Sequence, residues 1–477
     1  MAEGKQGWTC LLVLICVCIT VGTVIPVGYA FGVMNAPSAF IRSWIMESAL
    51  VRYSSRLGDS QMTIMMSAVV SIFLIGGMLG APFAPIFSAR LGRRGILTLS
   101  GLLLLVSSIC QLFCRMANSI EMLLLGRLIG GLAAALIYAT QPMYLVELAP
   151  AELSGSVGVF TCIGLTGGIV LGQVFSFDFL LGTEKLWPYA LSGSAIFVLI
   201  GLAPIFWFPE SPRFLMSQGR REKARVTLMR LRRDEGRVNA EMAEFEVSSA
   251  DEGQRVTMKQ VLCNSKLKLP LFIVCSFHFV QQMSGISAIW FYSIEIFTQS
   301  GFTAAVAMWL NFALGLLNFI SALLGPWLMR SFNRRLMMAT SCLCSAIFLV
   351  LLVVGLELMS TIHEFSFACI VFLSLYIVTF NMGLGPIPYF IGSEIFETPS
   401  RPSAMALGSF FNWLANFVLN MIFPTLNSAT GPFVFLLCVV FCAYGFLLTY
   451  RYLPETRNRD AKDVTQLMEN GFKSKIK

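Results

Sequence analysis

Polar and charged positions in this chain are gathered into short clusters that separate long apolar runs, instead of alternating with apolar positions at a helix or strand period. Twelve runs are long enough to cross about 30 Å of hydrocarbon as helices of roughly 20 residues. They cover 9–33, 62–88, 95–114, 121–144, 155–180, 187–208, 268–296, 303–329, 336–357, 365–392, 403–424 and 430–452. Backbone polar groups inside a bilayer must be satisfied within their own segment, so the predicted element is an α-helix each time. The first run carries no charge between Lys5 and Arg42 and reads as a signal anchor, being longer than the apolar region of a cleaved signal peptide. Between the sixth and seventh runs, residues 209–267 break the pattern with "SQGRREKARVTLMRLRRDEGRVNAEMAEFE", whose spacing predicts short amphipathic helices.

Composition agrees with this reading. Hydrophobic residues make up 56%, charged residues 13%, and mean hydropathy is +0.74, whereas a soluble chain carries about 25% charge. The expectation is an integral membrane protein. The formal charge of +8 does not call for nucleic acid. With both termini cytosolic, the inner segments hold 28 of the 34 Lys and Arg, the outer segments hold Arg42, Arg52, Arg56, Arg115 and Lys185, and Arg127 lies within a span. The 13 cysteines show no clustered spacing for a zinc site or a disulfide framework, and no N-glycosylation sequon occurs.

Three signatures recur across the charged segment. "LGRRG" with Arg93 follows span two, and "FNRRL" with Arg334 follows span eight, 241 residues later. "PMYLVELAP" with Glu147 and "PYFIGSEIF" with Glu394 are 247 apart, and "FPESPR" with Glu210 and "LPET" with Glu455 are 245 apart. Such offsets imply two parallel repeats and the plan of the major facilitator fold: an all-α membrane protein of 12 transmembrane helices in two six-helix halves. The expected units are 1–208 and 268–453, with a cytosolic helical linker at 209–267 and a cytosolic tail at 454–477. Arginines and glutamates at the inner helix ends form a candidate inner gate that pairs across the halves and exchanges partners as they rock. Its members are Arg93, Arg94, Glu147, Glu210, Arg213, Arg334, Arg335, Glu394, Arg401 and Glu455. "NMGLGPIPYF" in span ten, with two prolines beside two glycines, predicts a bend.

At these residues the chain resembles the facilitative hexose transporters (GLUT type) of the sugar-porter group. The matching motifs are Leu91-Gly92-Arg93-Arg94, Gly126-Arg127, Pro142-Met143-Tyr144 with Glu147, Pro209-Glu210-Ser211-Pro212-Arg213, Gln281-Gln282-Met283-Ser284-Gly285, Gly385-Pro386-Ile387-Pro388, Arg401-Pro402-Ser403, Asn412-Trp413 with Asn416, and Pro454-Glu455-Thr456. The resemblance implies that Gln281, Gln282, Asn318, Trp413 and Asn416 line a sugar, with Ser287, Asn381 and Tyr389 at further substrate positions. The residue types support this independently. Each sugar hydroxyl both donates and accepts, which neutral amides match, and an aromatic face covers the apolar side of a ring. Gln281, Gly285, Ala288 and Tyr292 fall on one helical stripe, and Asn412 and Asn416 are one turn apart.

Several positions depart from the glucose-preferring pattern. Cys162 stands where a span-five Gln is usual, Ser287 replaces an Asn, Asn381 a Glu and Tyr389 a Trp, and the span-seven Gln-Leu-Ser reads His278-Phe279-Val280. These changes shorten or remove hydroxyl partners, so they leave fructose, a broader hexose set or a non-hexose solute open beside glucose. In the gate, Ser154, Arg330 and Ala89 replace residues that the family uses for inner bridges, which predicts a weaker inner gate.

Proton-coupled sugar porters carry an Asp in span one where this chain has Ala30, and no Asp or Glu lies near the middle of any span. A buried carboxylate is the usual proton site in a carrier, so the expected function is uniport of a hexose such as glucose or fructose by alternating access. Proton symport, with His278 as the titratable group, and a non-transporting sugar sensor are the alternatives. Arg127 is expected to anchor carbonyls or snorkel. No phosphate-binding loop, metal cluster or activated nucleophile points to an enzyme, and no cofactor is implied. The expected partners are a small-molecule sugar and the lipid bilayer, with no nucleic acid, a monomer as the functional unit, and the plasma membrane as the site.

Overall fold

A computed structural model describes residues 8–54, 56–232, 234–252, 257–299, 301–359, 365–397, 399–457, 459, 461–468 and 471–473. Every regular element among them is helical. Ten continuous stretches are long and apolar enough to cross a membrane, and two of these are double length, Asp59–Phe113 and Arg401–Tyr452. The first is interrupted at Gly92 (φ +77°, ψ 176°) and the second at Gly431 (φ +58°). Dividing both there yields the twelve crossings that hydropathy predicts. Gly92 occupies a backbone region open essentially to glycine alone, and a Cβ there would lie 2.5 Å from Glu210 Oε2.

Four spans break in mid-course among the described residues, span six at Gly193 between Trp187–Ser192 and Ser194–Leu202. Span one divides at Thr23 between Cys10–Gly22 and Val24–Gly32. Span seven divides at Ser284–Gly285, with Gly285 at φ +100°, between Lys268–Met283 and Ile286–Gln299. Span ten divides between Phe365–Met382 and Ile387–Ile395, so the bend falls in the Gly-Pro stretch where the sequence puts it.

Hydropathy misses one substantial helix, Ser38–Tyr53, after span one. Its composition is mixed, but Ile41, Trp44, Ile45 and Ala49 recur at helical spacing and are buried, and Trp44 packs on Trp187 with ring centroids 5.3 Å apart. The charged segment forms Pro212–Ser217, Arg221–Arg232, Glu235–Glu252 and Met258–Cys263. Leu215, Ala224, Leu228, Val238, Met242 and Phe245 give it a small apolar core. It is tied to the first six spans by the buried Arg232. That guanidinium donates to the carbonyls of Leu148 (2.7 Å) and Ala149 (2.9 Å) at the end of span four, and to Glu241 at 2.7 Å. After span twelve, Ala461–Leu467 packs back through buried Val464, and Thr465 donates to the carbonyl of Ile395 at 2.7 Å.

Candidate functional site

The gate residues form two copies of one arrangement. Span three begins at the interruption of Gly92, and Glu210 Oε1 accepts from the first backbone N–H groups after it, those of Arg93 (2.9 Å) and Arg94 (3.1 Å). Glu455 does the same for the helix Arg334–Leu358, accepting from the N–H of Arg334 (2.9 Å) and Arg335 (3.2 Å). A carboxylate satisfies unpaired donors and meets the positive end of the helix dipole in both places. The Arg93 Nη2 donates to Glu147 at 3.0 Å, and Arg334 Nε donates to Glu394 at 3.3 Å. Ser211 donates to Glu147 and Thr456 to Glu394. Arg93 stacks 5.5 Å over Phe214, and Arg334 stacks 5.5 Å over Phe390. Arg94 and Arg335 donate to the carbonyls of Phe208 (3.0 Å) and Tyr450 (2.6 Å).

These contacts close within residues 1–214 and 329–457 respectively, not between the two sets as the sequence leads one to expect. The reason is local. The glutamate of each "PE" signature lies against the start of a helix, which offers fixed donors that no side chain from the other set has to reach. Arg213 and Arg401 come from different sets and lie close enough to repel. Arg213 stacks 5.5 Å over Phe245 of the charged segment, and Arg401 donates to the carbonyl of Phe396 at 3.3 Å. The side chain of Arg330 lies outside the described residues.

Within spans seven, eight, ten and eleven the amides form three clusters. In the first, the Asn412 amide donates to Gln281 Oε1 (2.6 Å) and to the His278 carbonyl (3.2 Å), Gln282 donates to Asn412 (3.2 Å), and Gln281 donates to the Gly385 carbonyl. Spans seven, ten and eleven are thereby joined at the unwound stretch of span ten. In the second, Asn381 donates to Asn318 (2.8 Å) and to Ser321 (2.9 Å). In the third, Asn420 donates to Asn416 Oδ1 (2.6 Å), and Tyr292 donates to the Asn420 carbonyl at 3.3 Å. Ser287 Oγ, both nitrogens of His278 and Asn420 Oδ1 are buried with no hydrogen-bond partner among the described residues. Asn412 and Asn420 thus join the expected residues. The signal for them is a ladder of Asn at 412, 416 and 420, one turn apart on an apolar helix.

Trp413 carries this centre across to the first six spans. Its ring centroid lies 6.3 Å from Phe73 and 6.0 Å from Tyr138. It fits because residue 77 is glycine: a Cβ there would stand 2.4 Å from the indole. Tyr389 packs edge-on against His278 at 5.6 Å and is 46% exposed, yet it lies near Tyr138 and Cys162. Its exposed surface therefore borders a cleft between the two sets of spans, on the side of the arginine signatures.

The opposite end is closed by neutral contacts. Asn35 donates to Ser293 (2.7 Å), Ser293 to Asn311 (2.7 Å) and Gln173 to Asn311 (3.1 Å), all buried. Phe31 meets Phe291 at 5.7 Å, and Phe177 meets Trp309 at 4.6 Å. The buried Arg127 donates to the carbonyls of Ala30 (3.2 Å), Val69 (3.3 Å) and Val70 (3.5 Å) and lies 4.8 Å over Phe73. It anchors spans one and two, as expected from the sequence. Among the described residues no group of His, Cys, Asp and Glu is placed to hold a metal ion.

Comparison with known proteins agrees with this architecture. The chain is similar to the mouse "Solute carrier family 2, facilitated glucose transporter member 3", at 31% identity over 94% of this chain and 92% of that one. The human protein of the same description is 32% identical over 98% of this chain and 94% of its own. Among solved structures, the xylose transporter XylE from E. coli, in a partially occluded inward open conformation, matches with a TM-score of 0.80 and 21% identity over 94% of this chain and 100% of that one. Another structure of XylE, a major facilitator superfamily proton:xylose symporter, gives 0.77 at 23% identity over 96% and 98%. The fold is that of the major facilitators, in an integral membrane protein. The family model described as "Sugar (and other) transporter" matches residues 15–468, and the chain belongs to that family.

Proposed function

We propose that this protein is a uniporter that carries a hexose such as glucose or fructose down its gradient by alternating access between halves 1–208 and 268–453. It works as a monomer in the plasma membrane, with its termini, the linker 209–267 and the tail 454–477 in the cytosol. The observation that carries this reading is the centre itself: neutral amides of Gln281, Gln282 and Asn412 in one hydrogen-bonded cluster, beside an indole that reaches the other half. Amides reorganise around hydroxyls at little cost, because each lost amide–amide bond is replaced by an amide–hydroxyl bond. Relatives at 31–33% identity that are named facilitated glucose transporters support the same reading.

Gln281, Gln282, Ser287, Asn318, Asn381, Tyr389, Trp413 and Asn416 are the proposed substrate residues. The arginine–glutamate clusters hold the inner ends of each half rigid so that the halves move as bodies. The protein acts as a transporter and not as an enzyme. Uptake of labelled glucose and fructose into proteoliposomes tests this. Saturable uptake of one or both, reduced about tenfold or more in Trp413→Ala, is expected on the scale of one lost aromatic contact and the cavity it leaves. No uptake of either sugar overturns the proposal.

A further inference from the structure

One buried amide at the cleft is not used by the reading above. Gln141, on span four, is wholly buried. Its Oε1 accepts from the Thr161 hydroxyl at 2.7 Å, while its Nε2 has no hydrogen-bond partner among the described residues. An unpaired buried N–H is unfavourable, and an apolar side chain of the same size would avoid that penalty.

Its surroundings connect this amide with the cleft. Tyr138, one turn earlier, reaches Trp413 at 6.0 Å and lies near Tyr389 of the other half. Thr161, which holds Gln141, is only part-buried, as is Cys162 beside it, whose thiol reaches the Ala322 carbonyl of span eight at 3.8 Å. Pro142 follows Gln141 inside the helix. It has no N–H to offer the carbonyl of Tyr138, so the helix is least restrained where the amide sits.

We infer that Gln141 is a specificity-determining substrate contact: its Nε2 donates to one hydroxyl oxygen of the transported hexose, and Thr161 sets the amide's orientation by occupying Oε1. This rests on the hexose reading above. The Thr161 bond fixes which end of the amide is oxygen and leaves the Nε2 donors unpaired, so the unpaired end selects for an oxygen at one position of the ligand. A site built to bond a hydroxyl rejects the analogue that lacks it.

The test is proteoliposome uptake of the transported hexose and its set of mono-deoxy analogues. The unmodified protein should show KM raised about tenfold for at least one analogue, the scale of one hydrogen bond. Gln141→Leu should raise KM for the parent hexose by a similar factor, leave the maximal rate within about twofold, and abolish discrimination at one hydroxyl position while keeping it at the others. Thr161→Val keeps the donor but frees its partner, and should weaken discrimination at that same position; it carries the test if the Gln141 variant does not fold. A core amide with no substrate role would leave the analogue pattern unchanged in both variants, which overturns the inference and leaves the transport function standing. Absence of hexose uptake by the unmodified protein overturns both.

Discussion

The Arg127 guanidinium donates to the backbone carbonyl of Ala30 at 3.2 Å, in the place where a proton-coupled sugar porter has a span-one carboxylate. A buried cation without an acid is expensive unless other dipoles surround it. Here the carbonyls of Val69 and Val70 and the face of Phe73 complete the shell. The arrangement is satisfied in one protonation state and has no carboxylate to load with a proton.

Replacing Arg127 by Lys keeps the charge but loses the planar fork that reaches three carbonyls at once. Loss of two such bonds is expected to destabilise the protein by about 2–4 kcal/mol, read as a lower melting temperature in detergent. The ratio of uptake rates at two pH values should stay as in the unmodified protein.

Gly77→Ala should push Trp413 out of its seat, since the added Cβ would meet the indole at 2.4 Å. KM for the transported sugar should rise about tenfold or more, the consequence of overpacking by one methyl in a tight contact. Gly158→Ala, where a Cβ would meet nothing within 4 Å, serves as the neutral control. Equal kinetics in the two variants would show that Trp413 does not need its present position.

The two gate clusters should be energetically separate. Glu210→Gln and Glu455→Gln each remove a negative charge from a helix start and should each cost about 1 kcal/mol. Their effects should add within about 0.5 kcal/mol. Arg93→Ala with Glu147→Ala should show a coupling energy of about 1 kcal/mol or more, and Arg93→Ala with Glu394→Ala none. Strong coupling of the latter pair would mean that the clusters pair across the halves.

The end of the molecule near Asn35 is held shut by a chain of neutral hydrogen bonds to Ser293, Asn311 and Gln173. Asn311→Ala breaks two links and should shift the population toward opening at that end by about fivefold to tenfold, on the scale of one net hydrogen bond. In a variant whose only cysteine is Cys162, a membrane-impermeant thiol reagent should react from the arginine side in the parent. It should react more slowly from that side after Asn311→Ala. A rate that does not change would contradict the assigned closure.

The spans and the twofold repeat were legible because the bilayer acts on composition and length alone, and because the signatures recur at offsets of 241 to 247 residues. The bend in span ten was legible from proline and glycine chemistry. Partner choice was not. That Glu210 caps the start of span three, instead of reaching an arginine of the other half, depends on where a helix begins in space, and residue types do not carry that information. Helix Ser38–Tyr53 was hidden by its mixed composition, although its buried positions follow helical spacing. Asn412 stands in the Asn-Trp motif of span eleven, but its place between both glutamines needs the approach of spans seven and eleven. Gln141 carried no signal of its own beside Pro142, since one amide in an apolar helix is ordinary glue.

Whether transport is uncoupled is best tested by following the transported hexose in proteoliposomes under an imposed pH gradient of either sign. Uniport predicts saturable uptake that stops at equal concentrations inside and outside whatever the gradient. Accumulation above equilibrium driven by the gradient would contradict it and show that the Arg127–Ala30 contact does not exclude a proton site elsewhere in the chain.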